Sequence, residues 1–308
     1  MKVACAVLLL ALTSSSLGAP RGNLQQRWEE WQMKHGRRYI SQGEEEGRRR
    51  AWQVNQDLVK AHNNRVDVGF SLEMNQFADG MLSGRQHLKH SPVVDISHDN
   101  DLPSAPPASF DWRTKGVISP VSNQGELGDP VAIVAEECVA SFQAIKKGEV
   151  PKLSSPEIQD CCPMPVGEVF DCIHNFGGLC SESTYPVLTG HCRNNSCQPE
   201  VQIQGGKAVP AGQVDQMVDA LLERPLAAFI DASKASFEMY TSGIYSDADC
   251  SKTVVDHGVQ VVGYGEEGGQ EFWICKNSWG ASWGEDGYIR IKKGSDTCGI
   301  ESHASYPY

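Results

Sequence analysis

A long buried helix is predicted by the segment Gln124-Gly125-Glu126-Leu127-Gly128-Asp129-Pro130-Val131, which carries its start signal. Asp129 is a favourable N-cap residue, and Pro130 suits the first helical position because the N–H it lacks would have no partner there. Apolar residues then recur at helical spacing and predict a buried stripe: Val131, Val134, Cys138, Val139, Phe142 and Ile145. We therefore expect a helix from Val131 to Ile145.

Composition and charge narrow the class of protein. The chain has 308 residues, of which 40% are hydrophobic and 21% charged, values that are ordinary for a globular protein. The net charge of −12 and the pI near 5.2 argue against nucleic acid or an anionic membrane as a partner. Beyond the N-terminus no apolar run is long enough to span a membrane.

The N-terminus has the pattern of a secretory signal. Lys2 precedes the apolar run Val3–Leu12, and small residues up to Ala19 then suit signal-peptidase cleavage. The run is too short to cross a bilayer, so residues 1–18 are predicted to be a signal peptide rather than an anchor. The alternative is a buried helix at a cytosolic N-terminus. We expect the protein to be secreted or lysosomal.

The cysteines agree with an oxidising compartment. Cys5 lies in the predicted signal, and an even set of ten follows it: Cys138, Cys161, Cys162, Cys172, Cys180, Cys192, Cys197, Cys250, Cys275 and Cys298. An even number in a secreted chain predicts disulfides. No Cys and His spacing typical of zinc is present, so no metal or cofactor is predicted. Asn194-Asn195-Ser196 is a glycosylation sequon, which predicts a surface loop and a glycan on Asn194.

The rest of the chain divides by composition into three parts. Residues 24–64 are mostly polar and show helical periodicity, with Trp28, Trp31 and Trp52 as the large apolar residues. Residues 88–108 have no periodicity and include Pro103, Pro106 and Pro107, which is typical of a linker. From Ser109 onward the sequence is rich in Gly, Cys and aromatic residues and predicts a compact domain.

A series of motifs in this domain resembles the papain family of cysteine proteases, nearest its cathepsin L branch. The motifs follow in order: Asp111-Trp112-Arg113, Pro120-Val121-Ser122-Asn123-Gln124-Gly125, Asp256-His257-Gly258-Val259, Val262-Gly263-Tyr264-Gly265, Lys276-Asn277-Ser278-Trp279-Gly280, Trp283-Gly284-Glu285-Asp286-Gly287-Tyr288 and Cys298-Gly299-Ile300. The N-terminal part matches the propeptide of that branch at Glu44, Arg48, Trp52, Asn55, Val59, Asn63, Asn75, Phe77 and Asp79.

The resemblance implies an α+β, papain-like two-lobed fold, with a helical lobe, a β-barrel-like lobe and an N-terminal helical propeptide. It implies a propeptide over residues 19–104, lying in the active-site cleft, and a peptidase domain over 105–308. By matching position it also implies the disulfides Cys161–Cys192 and Cys250–Cys298. Cys180 and Cys197 flank the first of these and either form an additional bridge or remain unpaired.

His257 and Asn277 are the candidates for a general base and the group that orients it. They lie on two apolar runs joined by Glu266-Glu267-Gly268-Gly269. If Glu266 pairs with Gly269 in an antiparallel hairpin, His257 faces Ser278, and one residue of register slip brings it beside Asn277. By resemblance, Trp279 would shield this pair.

The position of the nucleophile differs from the family pattern. The resemblance places Cys-Gly-Ser-Cys-Trp where this chain has Leu127-Gly128-Asp129-Pro130-Val131, so Pro130 stands at the position of the attacking thiol. Proline offers neither a nucleophile nor a backbone N–H. Gln124 would then be the remnant of an oxyanion hole.

Other departures concern substrate binding. Leu127 stands where the family has a cysteine that forms a disulfide with a Cys-Asn-Gly-Gly segment. That segment is missing from this chain, which has Pro163–Glu168 in its place. The missing glycines would bond the substrate backbone. Phe229 and His303 fall where cathepsin L has small residues, so we expect a narrowed or polar pocket for the second substrate side chain.

Two remaining thiols could in principle replace the nucleophile. Cys138 is eight residues beyond Pro130, about 12 Å along a helix, and is expected to face the core. Cys275 shares a strand face with Asn277 but is expected to be buried and inert.

We therefore predict a catalytically silent pseudoprotease that acts by binding, with its own propeptide as one partner and other cathepsins or protein ligands as further candidates. Two alternatives remain. One is an active cysteine endopeptidase, and the other is a cathepsin inhibitor that acts through its propeptide.

Overall fold

The computed structural model describes residues 23–80, 105–125, 128–162 and 168–308. The predicted signal peptide, Cys5, Leu127 and the segment 163–167 lie outside the described residues, as does the linker up to residue 104. The described chain forms two compact units, residues 23–45 and Glu46–Tyr308, and each is considered by itself.

The first unit is a helix with stacked aromatic rings. Helix α1 (Leu24–Lys34) begins at the N-cap Asn23, whose side chain accepts the N–H of Gln26 at 2.8 Å. Trp28 stacks on Trp31 at 5.4 Å and on Tyr39 at 5.9 Å between ring centroids. Both tryptophans are buried, as the sequence predicted for its apolar anchors. This stacking fixes the turn that leads into the next helix.

The remaining elements follow the α+β order expected from the resemblance. The other helices are α2 (Gln42–Asn63), α3 (Pro130–Lys147), α4 (Ser155–Cys161), α5 (Val169–Asn175), α6 (Val214–Glu223) and α7 (Ala235–Glu238). The strands are β1 (Phe70–Leu72), β2 (Phe110–Asp111), β3 (Gly206–Ala208), β4 (Leu226–Ile230), β5 (Tyr240–Tyr245), β6 (His257–Glu267), β7 (Gln270–Lys276), β8 (Tyr288–Lys292) and β9 (Ala304–Pro307).

Helix α3 forms the predicted core element and is buried on more than one face. Five of the six residues of the predicted stripe are buried, and the helix also buries Ala132, Ile133, Ala135, Ala140 and Ala144. It packs with α4 and α5 on one side and with strands β4 and β6 on the other. Ile145 is the exception at 37% exposure, because it lies one residue before Lys146-Lys147, where the helix leaves the core.

The strands form one mixed sheet in the order β1-β5-β8-β7-β6-β4-β9-β3, with β2 paired to β6 outside this path. The β6–β7 hairpin corrects the predicted register. Glu267 pairs with Gln270 across a two-residue turn, Gly268-Gly269, in which both residues have positive φ. The expected turn was equally short but was centred on Glu267-Gly268, and a pair of glycines suits the positive φ of both turn residues better. The register next to the turn is two residues from the predicted one, and a bulge between Val261 and Gly263 reduces this offset to one residue.

Within the second unit, the segment before residue 80 is docked on the sheet. Strand β1 adds to the edge of β5, with Phe70 opposite Gly243. Asn63 holds β1 by donating to the Leu72 carbonyl at 2.8 Å and accepting the Leu72 N–H at 3.0 Å. Asn55 donates to the carbonyl of Ala78 at 2.9 Å. The asparagines singled out by the sequence therefore fix the backbone of this segment.

Four disulfides close the described loops: Cys161–Cys192, Cys162–Cys172, Cys180–Cys197 and Cys250–Cys298. The first and last are the pairings implied by the resemblance, and Cys180–Cys197 is the additional bridge that the sequence left open. The sequence did not anticipate Cys162–Cys172. No helix among the described residues is both long and apolar enough to cross a bilayer.

Candidate active site

The start of α3 is shaped by its cap. Asp129 has extended backbone angles, and its carboxylate accepts the Val131 N–H at 2.7 Å. Pro130 occupies the first helical position, and the Ile133 N–H bonds to the Asp129 carbonyl at 3.0 Å. Of the first two helical residues, one therefore has no N–H and the other donates its N–H to a carboxylate. Neither is left to bind an oxyanion.

His257 and Asn277 meet in the interior. Their side chains are 2.7 Å apart, from Nε2 to Oδ1, and the two residues are at most 1% exposed. Asn277 Oδ1 also accepts the Ser278 N–H at 2.8 Å. Because this oxygen only accepts, Nε2 of the histidine carries a proton, so Nδ1 is the position for the lone pair of the neutral ring. That is the tautomer a general base on this ring would require.

The predicted proximity of the pair thus holds, although the predicted ladder does not. His257 is the first residue of β6, where its neighbour across the sheet is Ile230 on β4. Asn277 follows the last residue of β7, and its N–H bonds to the Gly287 carbonyl at 3.0 Å. The two side chains therefore meet beyond the end of the β6–β7 ladder.

Trp279 covers this pair and is hydrogen-bonded to Gln124. The indole lies 4.9 Å from the imidazole between centroids, and its Nε1 donates to Gln124 Oε1 at 3.1 Å. The Ser278 hydroxyl donates to the same oxygen at 2.8 Å. Since the two donors fix Oε1, Gln124 Nε2 turns toward the Gly128 carbonyl, at a long 3.5 Å. Sequence reasoning did not identify Ser278, which orients the glutamine.

The first turn of α3 lies against the strand that carries His257. A Cβ built on Gly258 would stand 2.9 Å from the Pro130 carbonyl oxygen and 2.9 Å from a Val134 methyl group. Only glycine tolerates this approach without a shift of the backbone. The packing explains the small residue after the histidine and brings Pro130 beside the His257 backbone.

A buried ion pair, Lys276 with Glu137, lies next to Asn277 in the sequence and links β7 to α3. Lys276 Nζ donates to Glu137 Oε1 at 2.8 Å and to the Ser119 hydroxyl at 2.8 Å. Ser122 also donates to Glu137 Oε1, at 3.0 Å. Beside it, burial and the neighbouring Glu137 charge raise the pKa of Glu136 to about 8. Glu137 and Lys276 each interrupt an apolar run of the sequence, and this pattern is a signal for a buried ion pair.

Phe229 and His303 are both buried and come together through the backbone. The Phe229 N–H donates to the His303 carbonyl at 3.0 Å. Phe229 belongs to the apolar cluster around α3, and the His303 imidazole lies 3.1 Å from the Lys252 carbonyl, measured from Nε2.

The two free cysteines of the described residues, Cys138 and Cys275, are buried. Burial is the main cause that raises the pKa of each thiol far above its usual range. Both therefore stay protonated, and a protonated, inaccessible thiol is a poor nucleophile.

Comparison with known proteins identifies the class to which this fold and site belong. The profile of the papain family cysteine proteases matches residues 106–308, and that of the cathepsin propeptide inhibitor domain (I29) matches residues 28–81. The chain therefore belongs to the papain family.

Relatives and solved structures of similar length extend the match over nearly the whole chain. The chain is 33% identical to procathepsin L of Mus musculus, with 98% of both chains covered. It is 32% identical to digestive cysteine proteinase 2 of Homarus americanus, over 100% of this chain and 99% of that protein. The recombinant stem bromelain precursor superposes with a TM-score of 0.83 at 31% identity, over 92% of this chain and 98% of that one. Procathepsin L 3 of Tenebrio molitor gives 0.80 at 31%, over 93% and 99%.

Proposed function

We propose that this member of the papain family is catalytically inactive and acts by binding. One observation carries the proposal. Pro130 stands at the first position of α3, where the family resemblance places the attacking cysteine, and proline has no thiol and no N–H to offer.

The histidine and asparagine that would assist a catalytic thiol are nevertheless present. The His257–Asn277 pair has its hydrogen bond, and Trp279 covers it. A histidine at this place can accept a proton, but without a nucleophile there is no proton for it to take and no covalent intermediate to form. We take Gln124 as the remnant of the oxyanion hole and Phe229 and His303 as residues of an altered substrate pocket.

A replacement nucleophile is not available from the two free thiols of the described chain. Cys138 and Cys275 are buried, and the pKa of each is raised. This supports binding over the alternative of an active endopeptidase.

The test is a peptidase assay at acid pH with a cathepsin L-type fluorogenic peptide and an epoxide probe directed at reactive thiols. The protein is first exposed to an active cathepsin, which is then removed by affinity capture. We expect no turnover and no labelling, with an active relative as the positive control. Turnover that the substitution His257→Ala abolishes would refute the proposal.

A second candidate function is inhibition of other cathepsins by the N-terminal segment. The match to the propeptide inhibitor domain favours it, as does the docking of residues before 80 on the sheet. The test uses residues 19–104, our proposed propeptide, against active cathepsins. If the segment inhibits and the full-length protein does not, the inhibitory activity belongs to the released segment. If neither inhibits, the inhibitor function is excluded.

For location we propose a secreted or lysosomal protein with residues 1–18 as signal peptide, residues 105–308 as the peptidase-like domain and a glycan on Asn194. The four disulfides support an oxidising compartment during folding. Loss of a sugar-dependent mass shift in the substitution Asn194→Gln would test the glycan.

A further inference from the structure

A cleft of about 620 Å³ opens on one face of the sheet, over β5 and β8. Ile244 on β5 pairs with Arg290 on β8, so their side chains lie on the same face. Side chains two residues apart along a strand also share a face, and Ser242, Ser246 and Lys292 therefore line the same floor. The volume is in the range of small-molecule sites, about 300–1,000 Å³.

The walls of this cleft come from two separate parts of the chain. Asp67 and Gly69, in the turn before β1, form one wall, and Glu267 and Gln270, at the end of the β6–β7 hairpin, form the other. The Ile244 N–H donates to the Gly69 carbonyl at 2.8 Å, which holds the first wall to the floor. The cleft therefore has this form only while the N-terminal segment is docked.

Arg290 fixes the second wall and leaves a negative charge in excess there. Its guanidinium donates to Glu267 and, through Nε and one Nη, to Glu285 at 2.9 Å and 2.8 Å. It also lies over the Phe272 ring, 5.1 Å from the centroid. One cation is thus shared by two carboxylates. Because these side chains are already held in place, a ligand would lose little free energy in ordering them.

Lys292 provides the complementary positive charge. Over residues 23–80, 105–125, 128–162 and 168–308, its ammonium group forms no ion pair or hydrogen bond. Lys292 follows Arg290 by two residues, about 7 Å along the strand. The cleft therefore presents an excess negative charge and an excess positive charge at strand positions about 7 Å apart.

We propose that this cleft binds a short peptide with free termini, with the peptide carboxylate on Lys292 and the peptide ammonium on the Glu267 carboxylate. The four charges of the lining cancel, since Asp67 and Glu267 oppose Arg290 and Lys292. A zwitterion therefore matches the cleft, whereas a net anion or a net cation does not. An extended dipeptide spans about 7 Å, the separation of the two charged ends. The site does not involve Pro130, and the proposal does not depend on the proposed inactivity.

Binding in this cleft would also hold the N-terminal segment in its docked position. Asp67 and Gly69 belong to that segment, and the floor belongs to the sheet. A ligand that binds only where both are present stabilises the docked form, because it shifts the equilibrium toward the state it binds.

The test is isothermal titration calorimetry of full-length protein with dialanine. N-acetyl-dialanine lacks the ammonium group, and dialanine amide lacks the carboxylate. The variants are Lys292→Gln and Glu267→Gln, which remove one charge each from the cleft. Lys115→Gln is the matched control, because Lys115 is exposed and does not line the cleft. Hydrogen exchange over residues 70–80, with and without dialanine, measures the effect on docking.

We expect each blocked peptide and each cleft variant to weaken binding by about tenfold or more, since each loses one charge-assisted contact. Lys115→Gln should bind as the wild type does, and dialanine should slow exchange over residues 70–80 in the wild type but not in Lys292→Gln. Absence of measurable binding at millimolar dialanine, equal affinity for the blocked peptides, or unchanged affinity in Lys292→Gln would overturn the proposal. Binding without slower exchange would refute the link to docking.

Discussion

Lys276 and Glu137 form an ion pair that joins β7 to the central turns of α3, with 2.8 Å between Nζ and Oε1. The two side chains are 0% and 4% exposed. Lys276 directly precedes Asn277, and α3 begins at Pro130. The pair therefore sets the distance between the strand end that holds the histidine's partner and the helix that would hold a nucleophile.

Removing one member of this pair should be costly. In the substitution Lys276→Met, the Glu137 charge stays buried without its counter-ion, and we expect the free energy of unfolding to fall by about 3–5 kcal/mol. Urea denaturation followed by tryptophan fluorescence measures it. The double substitution with Glu137→Gln removes the stranded charge and should recover part of the loss. A loss below about 1 kcal/mol for the single variant would contradict the buried pair.

Asp129 should stabilise the protein through its cap. The substitution Asp129→Ala removes the acceptor of the Val131 N–H and should cost about 1 kcal/mol. Asp129→Asn keeps an acceptor oxygen and is the matched control, with a loss of a few tenths of that value. Thermal unfolding of both variants gives the comparison. Equal losses would mean that the hydrogen bond to the cap contributes little.

Asn75 should hold the docked segment in place. Its Nδ2 donates to the Glu238 carbonyl at 2.8 Å, and its Oδ1 accepts the Phe77 N–H at 3.0 Å. Phe77 in turn packs on Trp279 at 4.9 Å. The substitution Asn75→Ala breaks both hydrogen bonds, so we expect faster hydrogen exchange over residues 70–80, corresponding to about 1–3 kcal/mol.

Val66 provides the control for this experiment because it is fully exposed. The substitution Val66→Ala should leave exchange over residues 70–80 as in the wild type. If that segment exchanged freely in the unmodified protein, docking would be refuted, and the case for a preorganised inhibitory segment would weaken with it.

The elements with a local signal were the ones the sequence predicted well. The start of α3 follows from Asp129 and Pro130, whose effects act within one turn. The proximity of His257 and Asn277 was predicted because the short hairpin brings the ends of β6 and β7 together, although the two residues are not paired in the ladder. The family resemblance implied two of the disulfides from positions alone.

What the sequence did not predict depends on cooperation between distant residues. The hairpin register was wrong because the turn uses both glycines with positive φ, and the bulge at Val262 recovers only one of the two residues of offset. Ile145 was assigned to the buried stripe, yet the periodicity of a helix does not tell where the core ends. Cys162–Cys172 requires α5 to approach the end of α4, which no local pattern encodes.

The substitution Pro130→Cys should not restore ordinary proteolysis. It returns a thiol and an N–H at the start of α3, beside the strand of His257, and the helix N-terminus favours a thiolate. We therefore expect a gain in alkylation by iodoacetamide over the wild type, whose free thiols are buried. The double substitution with His257→Ala is the control and should lose most of that gain.

Turnover needs more than the thiol, because the peptide must be held in line, and a displacement of about 1 Å can cost on the order of 100-fold in rate. The Asp129 carboxylate beside the new cysteine opposes both a thiolate and an oxyanion, and it keeps the Val131 N–H engaged. By the family resemblance, the glycine segment that would bind the substrate backbone is missing, and Val131 replaces a tryptophan. We expect cleavage of a cathepsin L-type peptide by Pro130→Cys, after release of the propeptide, to remain far below that of an active relative. A rate near that of the relative would mean that Pro130 alone silences the site.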